Sequence, residues 1–407
     1  MAGLNASPDR VARRAAQLAR IGGRGSSVTR LGLTREERRA HDLVASWLER
    51  RGARVRHDEA GNVFGRFGGA GPAILVGSHL DSVPEGGRYD GALGVVVAVE
   101  AMETLAAARV TLGRPVEIVG WADEEGVRFG IGLYGSCAAF GRLPAGAADR
   151  ADAHGVTIRQ ALRALGLRGE PRRARIARGA ISAYIEPHIE QGPRLDERGV
   201  PLAVVSSIVG ILHARVTVRG RQDHAGTTPM GQRADTLAGA AEMIAALEEA
   251  AARRHGAVGT VGEIAVRPGA KNVIPGECTF SLDIRAPRDR DVEAVVRDLR
   301  SAMRAAERKR GLRSTIDVLN RVPVAPMDRG LRAALRRACA AVGVDAPELV
   351  SGAGHDAENP AHSGIPTGMI FVRSRGGSHS PRESADPRDA ALAATALANA
   401  LAELAAS

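Results

Sequence analysis

Aromatics, cysteine and lysine are all scarce in this 407-residue chain, and each shortage excludes something. Aromatics make up 3%, so Ala, Val, Ile and Leu must fill the core, and no stripe of aromatic and basic side chains offers bases a stacking platform. The three cysteines, Cys137, Cys278 and Cys339, lie far apart without CxxC spacing. That argues against a disulfide framework or a thiolate zinc site and for a reducing, cytoplasmic compartment. No run of about 18 apolar residues is evident and the N-terminus lacks the apolar segment of a signal peptide, so no membrane partner is expected. Lysine occurs only at Lys271 and Lys309, so the 56 basic residues are nearly all arginine; against 46 acids they leave a net charge of +10. Because these arginines are scattered between acids, the surplus reads as GC-rich codon usage rather than a nucleic-acid surface. It could at most favour anionic substrates.

What is present describes a globular protein. Hydrophobic residues make up 44% and charged residues 25%, and the length suits about two domains. Val11, Ala15, Leu18 and Ile21 form one face of a first helix. Pro72 to Ser78 and Val116 to Ala122 read as buried strands, with a helix-length apolar stretch from Gly91 to Ala108 between them. Polar clusters follow both strands, as expected of an α/β domain whose site lies at the carboxyl edge of its sheet.

From Leu212 the texture changes. Strands are predicted at His213 to Arg219, Thr260 to Arg267, Glu277 to Arg285 and Ser314 to Leu319, with helices at Arg233 to Arg254 and Asp289 to Lys309. This β, α, β, β, α, β order is that of a ferredoxin-like α+β sandwich. The expected division is a catalytic domain in two parts, residues 1–211 and 324–407, around an inserted unit at 212–323. A helix near Arg329 to Val342, a strand at Thr367 to Val372 and a final helix from Asp386 complete the first domain.

Five clusters gather histidines, carboxylates or both at loop positions. They are GSHLDSVPEGGRYDG (His79, Asp81, Asp90), WADEEGVRFG (Glu124, Glu125), IEPHIEQGP (His188, Glu190, Gln191), GHDA (His355, Asp356) and GGSHSPRE (His379). A lone histidine at a strand end is more often a hydrogen-bonded structural residue than a ligand. The HxD pair changes the balance, because a carboxylate accepting the other ring N–H is the usual support of a metal-bound imidazole. Adjacent acids usually mark a solvated turn, but an apolar strand runs straight into Glu124 and Glu125. Three histidines and two carboxylates are hard or borderline donors sufficient for two divalent ions with one bridging carboxylate.

From Val28 onward the motifs GSHLDSVPEGGRYDGALG, DEEGVRFG, HIEQGP, HAGTTPM, NVIPG, DIR, SGAGHDA and MIFVRS to SHSP follow one another. In them the chain resembles the dinuclear metallopeptidase-like amidohydrolases. The likeness is to their carbamoylase branch, which includes N-carbamoyl-L-amino-acid hydrolases, β-ureidopropionases and allantoate amidohydrolases. The resemblance implies that His79, Glu125, His188 and His379 ligate two ions of zinc or manganese, with cobalt or nickel as further candidates. It implies that Asp90 bridges them, that Asp81 orients His79 and that Glu124 is the general base. It also implies that Arg285 with Asn272 clamps a substrate carboxylate, that Gln191 reaches the substrate, and that His224 supplies an oxyanion donor across a homodimer. The activity so implied is hydrolysis of a linear amide, an N-carbamoyl-L-amino acid first. Allantoate or ureidoglycolate hydrolysis, dipeptide hydrolysis, or ureide binding without catalysis are the other readings. Cys137 in GSCAAFG, Pro187 before His188, and Glu358-Asn359-Pro360 depart from the branch's usual pattern.

Overall fold

The computed structural model describes residues 3–406. Its contacts divide the chain into two units, one running through Ser206 and resuming at Pro326, the other spanning Ser207–Ala325.

The first unit is built on a nine-stranded mixed sheet. Its centre is four parallel neighbours, Thr367–Val372, Ile181–Ile189, Ala73–His79 and Val116–Trp121. These strands are almost wholly buried, which is why they read as continuous apolar runs rather than alternating ones. Antiparallel strands flank them, with Val63–Phe67 and Arg54–His57 beyond Val116–Trp121, and Leu202–Ile208 beyond Thr367–Val372. The order places Ala73–His79 where connections depart to both sides, and ligand sites form at the carboxyl ends of such a switch point. Trp121, Tyr184 and Phe64 supply rare aromatic bulk; the Trp121 indole N–H donates to the Tyr184 hydroxyl at 2.9 Å, which donates to the Gly77 carbonyl at 3.0 Å.

Ala92–Ala107 is buried from Ala92 to Leu105, its two acids Glu100 and Glu103 being paired with Arg10, Arg14 and Arg51, so that stretch has no solvent face to pattern. It packs against the alanine-rich helix Pro387–Ala406, which also contacts Arg329–Ala341. Among the described residues, Pro387–Ala406 is the one helix long and apolar enough to cross a bilayer. It is not an unbroken apolar run, since Arg388, Asp389, Thr395, Asn399 and Glu403 interrupt it; alanines carry its apolarity, and most of them are buried in the core. A small separate core around Leu33, Ala122, Phe129 and Tyr134 braces the loop that follows Val116–Trp121.

In the second unit the sheet runs Val258–Thr260, Glu277–Ala286, Gly210–Arg219, Arg313–Val322, all antiparallel, with Ile264–Arg267 also paired to Glu277–Ala286. Burial alternates residue by residue along Glu277–Ala286, so one face packs on Thr236–Ala252 and Asp289–Arg310. The strand predicted from Thr260 to Arg267 is two pieces. The Ser281 hydroxyl accepts the Gly262 and Glu263 N–H groups at 3.1 and 3.0 Å and diverts the chain between them. The helix predicted from Arg233 begins at Thr236, where the Asp235 carboxylate accepts the N–H groups of Leu237 and Ala238.

Candidate metal centre

His79 ends the central strand, opposite Trp121 in register, and the chain turns immediately after Trp121 to present Asp123, Glu124 and Glu125. Asp123 has φ 50°, a left-handed backbone that makes the turn sharp and lets successive side chains diverge. The turn is held from below by Asp81. Its Oδ1 accepts the Glu124 N–H at 3.0 Å, its Oδ2 the Glu125 N–H at 3.1 Å, and Oδ1 lies 3.2 Å from His79 Nδ1, off the line of a full hydrogen bond. Glu37 holds the same turn from the other side, accepting the Asp123 N–H at 2.8 Å and the Leu33 N–H at 2.6 Å.

His188 lies near the end of the neighbouring strand. Its Nδ1 is 2.8 Å from the Ile189 carbonyl, which can only accept, so the ring carries its proton there and Nε2 is a lone pair. Asp81 beside Nδ1 favours the same tautomer for His79. The two Nε2 atoms are 3.5 Å apart, and Asp90 Oδ1 lies 3.7 Å from His79 Nε2 and 3.3 Å from His188 Nε2. Asp90 Oδ1 is buried and has no hydrogen-bond partner among the described residues. His79 Nε2, His188 Nε2 and Asp90 Oδ1 thus converge on one point, an arrangement of acceptors that calls for a positive charge, either a proton on His79 or a cation bound there.

The other Asp90 oxygen faces a second group. His379 Nε2 is 3.3 Å from Asp90 Oδ2 and 3.2 Å from Glu125 Oε1. Thus His79, Asp90 and His188 form one set able to hold an ion, Asp90, Glu125 and His379 another, and Asp90 belongs to both. Against the pull of burial, Glu124, Asp81 and Asp90 hold His79 well above the usual imidazole range, so the acids around it draw positive charge into the site. Burial pushes Glu124 well above the usual carboxylate range, opposed by His79 and reinforced by Glu125, Asp356 and Asp81. Burial takes His188 down to about 4, while bonds to Asp90 and Glu125 raise His379 to about 10. So many buried acids in one place require compensating positive charge, and the donor set fits two divalent ions.

Gln191, with φ 61°, sits beside this centre. It donates to Asp90 Oδ2 at 2.9 Å, so its nitrogen is engaged by a carboxylate of the site and its Oε1 has no partner. His224, Asn272 and Arg285 are in the second unit. His224 pairs with Val273 across a two-residue ladder, and Ala225 donates to the Asn272 carbonyl at 3.0 Å. His224 Nδ1 accepts the N–H groups of Gly226 and Thr227 at 3.0 and 3.2 Å, which leaves the proton on Nε2. Arg285 is engaged within its own strand: Nε and Nη2 donate to the two oxygens of Asp283 at 3.0 and 2.9 Å.

Sequence reasoning passed over Glu37, Glu186, Ser378 and Glu383. Glu186 is fully buried, accepting from Ser78 at 3.1 Å and from the Ala357 N–H at 2.7 Å, and so fixes the His355 loop. The His355 ring packs edge-on to His188 with centroids 4.4 Å apart. Glu186 precedes His188 by two residues inside a buried strand, an available signal. Cys137 and Asn359, two of the noted departures, meet each other, with Sγ 3.5 Å from Oδ1.

The chain is similar to known proteins over nearly its whole length. The N-carbamoyl-L-amino acid amidohydrolase of Geobacillus stearothermophilus is 42% identical over 401 residues, covering 96% of each chain. The allantoate amidohydrolase of Bacillus subtilis is 37% identical over 387 residues, covering 93% of each. A hydantoinase/carbamoylase family amidase of Burkholderia ambifaria superposes with a TM-score of 0.89 at 39% identity, over 99% of this chain and 98% of that one. Residues 75–403 match Peptidase family M20/M25/M40, and the chain belongs to that family.

Proposed function

We propose that the protein is a metal-dependent amidohydrolase that converts an N-carbamoyl-L-amino acid and water to the L-amino acid, carbon dioxide and ammonia. The observation that carries this reading is the sharing of one buried carboxylate, Asp90, between two sets of ligand atoms. His79 and His188 would hold one ion, Glu125 and His379 the other, and Asp90 both. Zinc or manganese suits the mixed imidazole and carboxylate donors, with cobalt or nickel as substitutes. A divalent pair there supplies an acidified water and charge neutralisation at the ureido oxygen.

The chain's own groups do the rest. Glu124, whose Oε2 lies 3.8 Å from His79 Nε2, would take a proton from water as it attacks the ureido carbon and return it to the leaving nitrogen. Asp81 keeps Glu124 and Glu125 pointed apart by holding both backbone N–H groups. His224, with its proton fixed on Nε2, is a neutral donor suited to a developing oxyanion. We assign it to the neighbouring subunit's substrate in a homodimer. Arg285 with Asn272 would bind the substrate carboxylate, because a guanidinium offers two parallel charged bonds. Gln191 would assist through its unpartnered Oε1. Three free cysteines favour a reducing, cytoplasmic setting.

Allantoate hydrolysis is the second reading, favoured by the 37% identity to an allantoate amidohydrolase over nearly the whole chain. Ammonia release across N-carbamoyl-L-amino acids, their D isomers, allantoate and ureidoglycolate, before and after chelation and with each metal restored, tests the proposal. Full turnover by metal-free protein, or none on any ureido substrate, would overturn it.

A further inference from the structure

We infer that Glu383 is a positioning residue: it clasps the His379 hairpin to the Asp90 loop and thereby assembles the second ion's ligand set. The inference rests on the dinuclear reading and concerns residues to which that reading gives no role.

His379 is carried at the tip of a hairpin whose base is the short pairing of Ser374–Arg375 with Ser384–Ala385. Its side chain is 48% exposed, and its backbone is left-handed with φ 56°. Nothing in the parallel sheet fixes it, in contrast to His79 and His188, which sit at buried strand ends. What ties the tip to the rest of the centre is Glu383. This carboxylate is only 5% exposed although solvent-facing residues surround it in sequence. Its Oε1 accepts the backbone N–H groups of Tyr89 at 2.8 Å and Asp90 at 3.1 Å, and its Oε2 lies 3.1 Å from the Ser378 hydroxyl. Ser378 in turn donates to Asp90 Oδ2 at 2.6 Å.

The loop is thus closed on itself. Glu383 grips the Asp90 backbone, Ser378 grips the Asp90 side chain, and His379 is the next residue along. A Cβ on Gly87 would lie 2.1 Å from Glu383 Oε1, so the Asp90 loop leaves room for this carboxylate only because residue 87 is glycine. Two adjoining loops that each carry a ligand are joined by one buried side chain. The Oδ2 side of Asp90, where the second ion would sit, depends on that join. The Oδ1 side, between His79 and His188, depends on it only through Asp90, whereas the Oδ2 side depends on it through His379 as well.

The test is titration of chelator-stripped protein with Co(II), following visible absorption and heat, in wild type, Glu383→Ala, Glu383→Gln and Ser378→Ala. Groups that orient ligands typically contribute 10- to 100-fold in metal affinity. Glu383→Ala should weaken the second Co(II) by about that factor and change the first by less than about threefold. Glu383→Gln keeps an oxygen for the two N–H groups and should fall between Ala and wild type. Ser378→Ala leaves the backbone bonds untouched, folds independently of them, and should weaken the second ion modestly. Two Co(II) ions bound with wild-type affinity and spectrum by the Glu383 and Ser378 variants would refute the clasp while leaving the dinuclear reading intact, as would equal weakening of both ions. Wild type that takes up no Co(II) would refute both.

Discussion

Asp81→Asn is the sharpest single perturbation of the centre, because it removes a charge and exchanges one acceptor for a donor without changing shape. Asp81 is 1% exposed and accepts two backbone N–H groups while its Oδ1 faces His79 Nδ1. An asparagine that keeps its oxygen toward Glu124 N and His79 must turn its amide nitrogen toward the Glu125 N–H, donor against donor. Leaving that N–H unsatisfied costs about 1–3 kcal/mol, and the surviving bond loses its charge assistance, worth about 1 kcal/mol. Metal-free protein should therefore lose about 2–4 kcal/mol of stability, a shift readable in a urea midpoint at unchanged slope. The freed Glu125, and a His79 ring that faces a neutral amide oxygen in place of a carboxylate, should together weaken metal binding by about 10- to 100-fold. Urea unfolding of the stripped protein, calorimetric metal titration and kcat on a carbamoyl amino acid measure the three effects separately. Wild-type urea midpoint with wild-type metal affinity in Asp81→Asn would falsify the claim that this carboxylate organises the turn.

Three further outcomes are expected. Glu124→Gln should retain its metal but lose at least about 100-fold in kcat, whereas Glu125→Gln should lose metal; equal metal loss in both would contradict the division of labour. Arg285→Ala should lower kcat/KM for an N-carbamoyl amino acid by roughly 2–5 kcal/mol and for its amide much less, with Arg285→Lys recovering part of the loss. An equal loss on both substrates would place carboxylate recognition elsewhere and leave Arg285 as the partner of Asp283. Mixing inactive Glu124→Gln and His224→Ala chains should restore activity through mixed dimers; efficient subunit exchange without recovery would place His224 in its own subunit's site.

Legibility followed the range of the physics. Thr367–Val372 was readable to the residue because a buried parallel strand is a continuous apolar run bounded by polar residues. The ends of Thr236–Ala252 and the break before Ile264 were not, since one depends on a cap and the other on the Ser281 hydroxyl nineteen residues from Gly262.

The candidate centre divides the same way. By itself the sequence determined the ligand chemistries and their order: histidine and carboxylate clusters after apolar strands, on a chain with too few cysteines to offer thiolates. Only the tertiary structure decided which atoms converge. That Asp90 faces two ligand sets, that Asp81 holds Glu124 and Glu125 as well as His79, and that Glu383 reaches Tyr89 from 294 residues away are matters of loop approach and proton count. Local periodicity encodes none of them, because each depends on chain segments that meet only when the sheet is assembled and water has been excluded.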